Sequence, residues 1–170
     1  VGAGELGEAA FHFIELLKKN HVRIWQILPL NPVGYGNSPY QPYSSCAGDD
    51  IYISLDTLAE EGLLKKSPMP FLEKCKKVDY ERVRQYREPY LRAAFMAFVE
   101  QKGYEKQEYK EFAAQSWVYE YGVFRALKKA NNGACWNEWP EEDRTWPENR
   151  HVLDTEAEAE ARYQMFLQYI

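Results

Sequence analysis

The chain has 170 residues, 45% of them hydrophobic and 28% charged, enough for one globular domain with a real core and against a disordered or fibrous chain. Its net charge of −5 argues against nucleic acid as the default partner, no apolar run approaches the ~18 residues of a spanning helix, and no signal peptide is visible. The cysteines Cys46, Cys75 and Cys135 lie far apart with no C-x-x-C pair, which suggests neither a zinc site nor a disulfide framework and fits a reduced cytoplasm.

The chain opens on Gly2, Gly4 and Gly7 in a G-x-G-x-x-G string. A dinucleotide fingerprint needs a strand before that string and an acidic residue about 20 positions after it. Neither is present, so the glycines are read as a tight turn into a helix. Residues 8–20 follow as an amphipathic helix, with Ala10, Phe13, Ile14 and Leu17 on one face and Glu15, Lys18 and Lys19 on the other. Residues 22–30 are an almost unbroken apolar run around Arg23 and Gln26, expected as a parallel strand buried on both faces. Pro29 sits at its end, where a lost backbone donor matters least.

The run Trp25-Gln26-Ile27-Leu28-Pro29-Leu30 leads into Gly34-Tyr35-Gly36-Asn37-Ser38-Pro39-Tyr40-Gln41-Pro42-Tyr43-Ser44-Ser45-Cys46-Ala47-Gly48. Loops held at a strand's end by a rigid scaffold are where binding groups concentrate. This composition suits a sugar better than a phosphate. Tyrosine offers a flat apolar face to the C–H face of a pyranose, and serine, asparagine and glutamine can both donate to and accept from its hydroxyl rim. The adjacent Asp49 and Asp50 read as a solvated turn.

Ser54 is expected to cap a short helix, with Asp56 in its first turn and Gly62 just beyond it. Residues 65–78, with Pro68 and Pro70, read as a loop. Asp79 caps the next helix, Pro89 is expected to break or kink it, and its second half runs to about Lys102 with Leu91, Ala94, Phe95 and Phe98 on one face. Residues 106–130 read as the longest helix, with Ala113, Trp117, Phe124 and Leu127 as its buried stripe and Asn131-Asn132-Gly133 as its stop. Trp136-Asn137-Glu138-Trp139-Pro140 reads as a turn or short helix packed by its indoles. Asp154 or Thr155 caps a last helix with Phe166 and Leu167 in the core, and Glu156, Glu158 and Glu160 are expected on its solvated start. Between Lys65 and Arg92 stand nine Lys/Arg against four Asp/Glu, interleaved with Tyr80, Tyr86 and Tyr90, read as an exposed basic helix face rather than an RNA site. His12, His21 and His151 have no metal-ligand spacing.

One strand among many helices is an odd inventory, because a single strand leaves its backbone groups without partners. A resemblance resolves it. W-Q-I-L-P-L followed by G-Y-G-N-S-P-Y-Q resembles the W-Q-V-L-P-L and G-Y-G-D-S-P-Y-Q of the 4-alpha-glucanotransferases, the amylomaltases of glycoside hydrolase family 77. Gly2 to Gly7 is similar to the family's G-I-G-D-L-G, Ile53-Ser54-Leu55 with Gly62-Leu63-Leu64 to its next helix, and Trp136 to Pro140 to its W-N-x-W-P.

The resemblance implies an α/β class: a fragment of a (β/α)8 barrel carrying a large helical insertion, mostly helical within this chain. Residues 1–30 would belong to the barrel (helix 8–20, second strand 22–30), 31–150 to the substrate loop and insertion, and 151–170 to a helix returning to the barrel. The chain would be the N-terminal piece of an enzyme that moves α-1,4-glucan segments to the 4-hydroxyl of glucose or another glucan. The family's nucleophile Asp, acid/base Glu and third Asp would lie beyond Ile170, so no catalytic residue is assigned here, and no metal or organic cofactor is implied.

By the same resemblance Ser38 and Tyr40 contact glucan. Tyr35 matches a tyrosine that in some members lines a second glucan site, with packing the competing role. Asn37 stands where the family often has Asp, Gln41 orients the loop or touches sugar, and Tyr43 replaces a usual Phe and is expected to pack. Trp25, Trp136 and Trp139 are expected to be structural. The expected partners are maltooligosaccharides or other α-1,4-glucans and the rest of the chain's own barrel, with no nucleic acid and no membrane. Two other classes stay open: a non-catalytic glucan-binding module, and a helical interaction domain.

Overall fold

The computed structural model describes residues 4–65 and 77–170, which form two compact units, Val1–Gln101 and Lys102–Ile170. Most of the expected loop 65–78, with Pro68, Pro70 and Cys75, lies outside the described residues, as does Gly2.

In the first unit α1 (Glu8–Lys19) forms where its period predicts, but none of its residues is buried, and Phe11, Phe13, Ile14 and Leu16 are all exposed. Residues 22–30 carry no ladder. Among the described residues there is no β-strand, only an isolated antiparallel bridge between Val33 and Pro42. Within the described residues the expected strand is thus an unpaired segment, because a strand exists only through neighbours that take its N–H and C=O groups. Ile24 is 84% exposed, and Trp25, expected in the core, is 47% exposed, touching Phe13 edge to face at 5.1 Å.

The unit's core lies further along the chain. Helix α2 (Leu55–Glu60) starts at Ser54, whose Oγ accepts from the Thr57 N–H (3.2 Å), and it buries Leu55 and Leu58. Helix α3 (Tyr80–Glu100) starts at Asp79, whose Oδ1 accepts from the Arg82 N–H (3.0 Å). Val83, Arg87, Leu91, Ala94 and Phe98, three or four apart, are its buried stripe. Of the expected break or kink at Pro89, the break does not occur: α3 continues through it. A proline inside a helix removes one N–H, and the flanking turns here are held by the buried stripe. Pro89→Ala is expected to raise the unit's stability by about 1 kcal/mol, since restoring one helical hydrogen bond exceeds the proline's stiffening of the unfolded chain. Denaturant unfolding of both proteins reads this directly.

The G-x-G-x-x-G turn is closed by packing. A Cβ on Gly7 would stand 2.6 Å from Ser54 Oγ, the same atom that caps α2. The Leu6 N–H donates to the Tyr52 carbonyl (2.8 Å), and Ser54 Oγ also donates to Glu5 Oε1 (3.4 Å). The third glycine is thus a point of close approach between turn and helix cap, in line with the turn reading.

The second unit is built around α5 (Ser116–Ala130) and α8 (Thr155–Tyr169), which pack along each other. The single helix expected over 106–130 is two, α4 (Gln107–Ala113) and α5, because Gln115 is extended at φ −69°, ψ 128°. Its side chain accepts from Trp117 Nε1 (3.2 Å) across that break. The buried face of α5 is Val118, Tyr121, Gly122, Val123, Ala126 and Leu127. A Cβ on Gly122 would lie 2.7 Å from the Ala161 carbonyl oxygen, so this glycine sets how closely α5 and α8 approach. Helix α8 is capped by Asp154, which accepts from the Ala157 N–H (2.7 Å), and it buries Phe166 and Leu167 as expected. Glu160, expected on the solvated face, is buried. Its carboxylate takes hydrogen bonds from Lys129 Nζ (2.6 Å) and Gln164 Nε2 (2.9 Å), which offset the desolvation of a charge.

Short helices α6 (Glu141–Arg144) and α7 (Trp146–Asn149) complete this unit. Trp139 and Trp146 are buried and direct their indole N–H groups to the carbonyls of Ala134 (3.0 Å) and His151 (3.1 Å). Trp136, expected to be buried with Trp139, is 58% exposed. It leads a single 3-10 turn, Trp136–Glu138.

Candidate functional site

The loop that the sequence singles out is closed by a nested set of hydrogen bonds. The Asp49 N–H donates to the Leu30 carbonyl (2.8 Å), Asn31 Nδ2 to the Ala47 carbonyl (2.8 Å), the Tyr43 N–H to the Pro32 carbonyl (2.8 Å) and the Gly34 N–H to the Gln41 carbonyl (3.3 Å). Ser44 Oγ accepts from the Cys46 and Ala47 N–H groups, both at 3.1 Å. Each closure satisfies backbone groups that a long excursion would otherwise leave without protein partners. The result is a compact loop standing on a closed neck.

At its tip the chain turns twice. Tyr35–Asn37 form a 3-10 turn with Gly36 at φ +83° and Asn37 at φ +52°. Both lie in the left-handed region, which glycine enters freely and asparagine more readily than most residues. That gives Asn37 a backbone role in addition to any polar contact. Ser38 then runs extended, and the Gln41 N–H returns to the Ser38 carbonyl (3.1 Å), closing a second turn over Pro39 and Tyr40. Tyr40 projects from that turn, 73% exposed, with Gln41 and Asn37 also exposed and Ser38 half-buried. Tyr43 packs on the neck, where a Cβ on Gly34 would meet its ring at 3.2 Å. Tyr35 shapes the first turn through its backbone, and its side chain lies outside what is described. The predicted residues Ser38, Tyr40, Gln41, Asn37 and Tyr35 are thus brought together on one tip.

Sequence reasoning missed what holds this tip in place. Asp49 is not in a solvated turn but buried. Arg84 of α3 grips it with both arms, Nη1 donating to Oδ1 (2.8 Å) and Nη2 to Oδ2 (2.7 Å), while Nη1 also donates to Asp50 Oδ1 (2.9 Å). The Ile51 N–H donates to Asp49 Oδ1 (3.0 Å), capping the turn Asp50–Tyr52. Burial alone would raise the Asp49 pKa. The Arg84 hydrogen bonds and charge, with backbone N–H groups of Ile51 and Val33, outweigh it and hold the carboxyl below its ordinary value. One turn along α3, Arg87 is buried, with Nη1 3.4 Å from Glu5 Oε2 and Nη2 donating to the Ile53 carbonyl. The neck of the loop and the opening turn are therefore both pinned to α3. The only signal in the sequence was two arginines three apart on a helix and two aspartates after the loop, and nothing local pairs them.

The basic segment resolves the same way where it is described: Arg84, Arg87 and Arg92 all face carboxylates. His12 stands 3.8 Å from Glu8 and His151 3.7 Å from Asp143, and among the described residues no group of three or more His, Cys, Asp or Glu could hold a metal. No helix among the described residues is long and apolar enough to cross a membrane.

A family profile described as 4-alpha-glucanotransferase, glycoside hydrolase family 77, matches residues 1–170. The chain belongs to that family. A 4-alpha-glucanotransferase of Synechocystis is 40% identical, across 99% of this chain and 35% of its own length. One from Thermus thermophilus is also 40% identical, across 82% of this chain and 28% of its own. Among solved structures, an amylomaltase from Streptococcus agalactiae in complex with acarbose superposes with a TM-score of 0.80 at 26% identity, covering 97% of this chain and 34% of that one. The chain spans about a third of the length of these 4-alpha-glucanotransferase relatives. Plant relatives from Arabidopsis thaliana and Solanum tuberosum, 32% and 31% identical, are described as chloroplastic or amyloplastic.

Proposed function

We propose that this chain is part of a 4-alpha-glucanotransferase that moves α-1,4-glucan segments onto the 4-hydroxyl of glucose or another α-1,4-glucan by a retaining double displacement. That chemistry needs two carboxylates about 5 Å apart, one to attack the anomeric carbon and one to protonate the leaving oxygen and then deprotonate the incoming hydroxyl. Residues 1–170 supply cleft wall, and the acid/base pair belongs to later parts of the protein. The observation that carries this reading is the loop tip, where an exposed Tyr40 stands with Ser38 and Gln41 on an arginine-pinned neck. Tyr40 stacks on a glucose ring, and Ser38, Asn37 and Gln41 hydrogen-bond its hydroxyls. Tyr35 serves the same tip or a second glucan contact.

The proposal includes a (β/α)8 barrel in which residues 22–30 are a strand and α1 the helix before it, with residues 31–150 as insertion and 151–170 leading back. The uncovered apolar faces of α1 and of residues 22–30 support it, since apolar surface of this extent is stabilised only when another element covers it. The partners are α-1,4-glucans and the rest of the barrel, without cofactor, and the setting is a reduced cytoplasm, with which the free Cys46 and Cys135 agree.

The test is maltotriose disproportionation by the full-length protein. Transfer converts two maltotrioses into maltopentaose and glucose, whereas hydrolysis gives maltose and glucose. Pentaose is expected, with inhibition by the acarbose bound in the solved relative. Tyr40→Ala is expected to lower kcat/KM about tenfold or more, equivalent to about 1.4 kcal/mol of lost contact. No product longer than maltotriose would overturn the proposal.

A further inference from the structure

The loop between Leu30 and Asp49 is a ribbon without a sheet. Its two sides are joined from neck to tip by the closures Asp49 to Leu30, Asn31 to Ala47, Tyr43 to Pro32 and Gly34 to Gln41. Among the described residues they pair as β structure only in the isolated bridge between Val33 and Pro42. A two-stranded ribbon is marginal in water by itself, so its direction is set by whatever holds its base. The far end cannot set it. There Gly36 and Asn37 turn the chain through the left-handed region and Tyr40 stands 73% exposed.

The base meets α3 at one residue. Asp49 closes the neck with its backbone, through the Leu30 carbonyl, and its carboxylate takes the N–H of Val33 on the opposite side of the ribbon. The same carboxylate receives both arms of Arg84, at 2.8 and 2.7 Å, while Nη1 reaches on to Asp50 at 2.9 Å. Two parallel bonds from a planar fork fix orientation as well as distance. The guanidinium therefore sets the angle at which the ribbon leaves the helix. A ribbon fixed at one end is a lever, and a small rotation at Asp49 becomes a larger displacement at Tyr40. A buried charge pair is a poor device for stability alone, since apolar side chains of similar volume hold a fold as well. What apolar contact lacks is direction.

We propose that Arg84 is a positioning residue of the transferase: through Asp49 it sets where the loop tip, and Tyr40 above all, stands against the substrate. The proposal rests on the transferase reading and adds to it a residue that never touches sugar. It separates aim from stability. The charge pair can be replaced as a pair with the fold intact, and the tip is then misdirected, which matters because displacements of about 1 Å are costly in a site that orients its substrate.

The experiment is a double-mutant cycle on the full-length protein, read as kcat/KM for maltotriose. Asp49→Asn together with Arg84→Met removes both charges and keeps side-chain volume, and the amide oxygen still serves the N–H groups of Ile51 and Val33. Asp50, with its side chain 17% exposed, keeps access to water. Urea unfolding of this pair is expected to match wild type. Its kcat/KM is expected to fall about fivefold with Tyr40 present, and less than about twofold when Tyr40→Ala is already in place, because a tip without its ring has little left to misplace. Arg84→Lys, which keeps the charge but not the second arm, follows the same cycle with a smaller effect, and carries the test if the pair fails to fold. Equal falls with and without Tyr40 would overturn the proposal, since sites that act independently add. An unchanged kcat/KM in the pair would overturn it too, and both results leave the transferase reading standing. A wild type that forms no maltopentaose would remove the transferase reading itself and this role with it.

Discussion

Arg84→Ala is expected to destabilise the first unit by about 3 kcal/mol at neutral pH, the cost of leaving a buried carboxylate without its partner. The Asp49 side chain is 3% exposed and receives both arms of the guanidinium. Once Arg84 is removed, only backbone N–H groups remain to hold the charge. Arg84→Lys is expected to fall between, because a lysine cannot grip a carboxylate with two parallel bonds.

The pH dependence carries a sign that generic destabilisation would not. In the wild type the Asp49 pKa is depressed on folding, so its contribution is complete above the unfolded value of 3.8 and is lost as pH falls through the lower folded value. In Arg84→Ala the desolvation of Asp49 dominates and the folded pKa rises, so acid now relieves the strain. The deficit of the variant is therefore expected to shrink between pH 7 and about pH 4. Urea unfolding of both proteins at the two pH values checks it. A gap that is constant with pH would show that Asp49 is not the group left stranded.

The second large effect belongs to Gly122. Helices α5 and α8 approach so closely that a Cβ at this position would stand 2.7 Å from a backbone oxygen, which cannot rotate away as a side chain can. Gly122→Leu must push the helices apart or unwind a turn, and overpacking of this kind costs about 3 kcal/mol. The pair carries most of the unit's core: Val118, Val123, Ala161, Tyr163 and Phe166 are almost fully buried. Thermal melting should show the loss, and Gly122→Ala should show a smaller one. A Leu variant that melts with wild type would mean that α5 and α8 can separate without cost, contrary to this packing.

Ser54, Asp79 and Asp154 cap their helices as expected, because an N-cap joins a side chain to an N–H three residues on and needs nothing else. The α1 helix, read from its period of apolar residues, is of the same local kind. The break at Gln115 was not legible, because the period of apolar residues continues across it and the extended residue breaks only the backbone.

Burial and pairing across the chain were decided by the tertiary structure. Asp49 and Glu160 look like surface acids until Arg84, 35 residues away, and Lys129, 31 residues away, take their charge. Trp136 and Trp139 are three residues apart and of one type, yet Trp136 is exposed and Trp139 buried, its ring against Phe124 and its indole N–H donating to the Ala134 carbonyl. Residues 22–30 read as a strand by composition, but a ladder lies in the neighbours, and here Ile24, Ile27 and Leu28 are exposed. By itself the sequence determined the family and the helix caps, both local or motif-borne. Which charges are buried, which tryptophan is free and how closely two helices approach depend on atoms far apart in the chain, and only the fold brings those together.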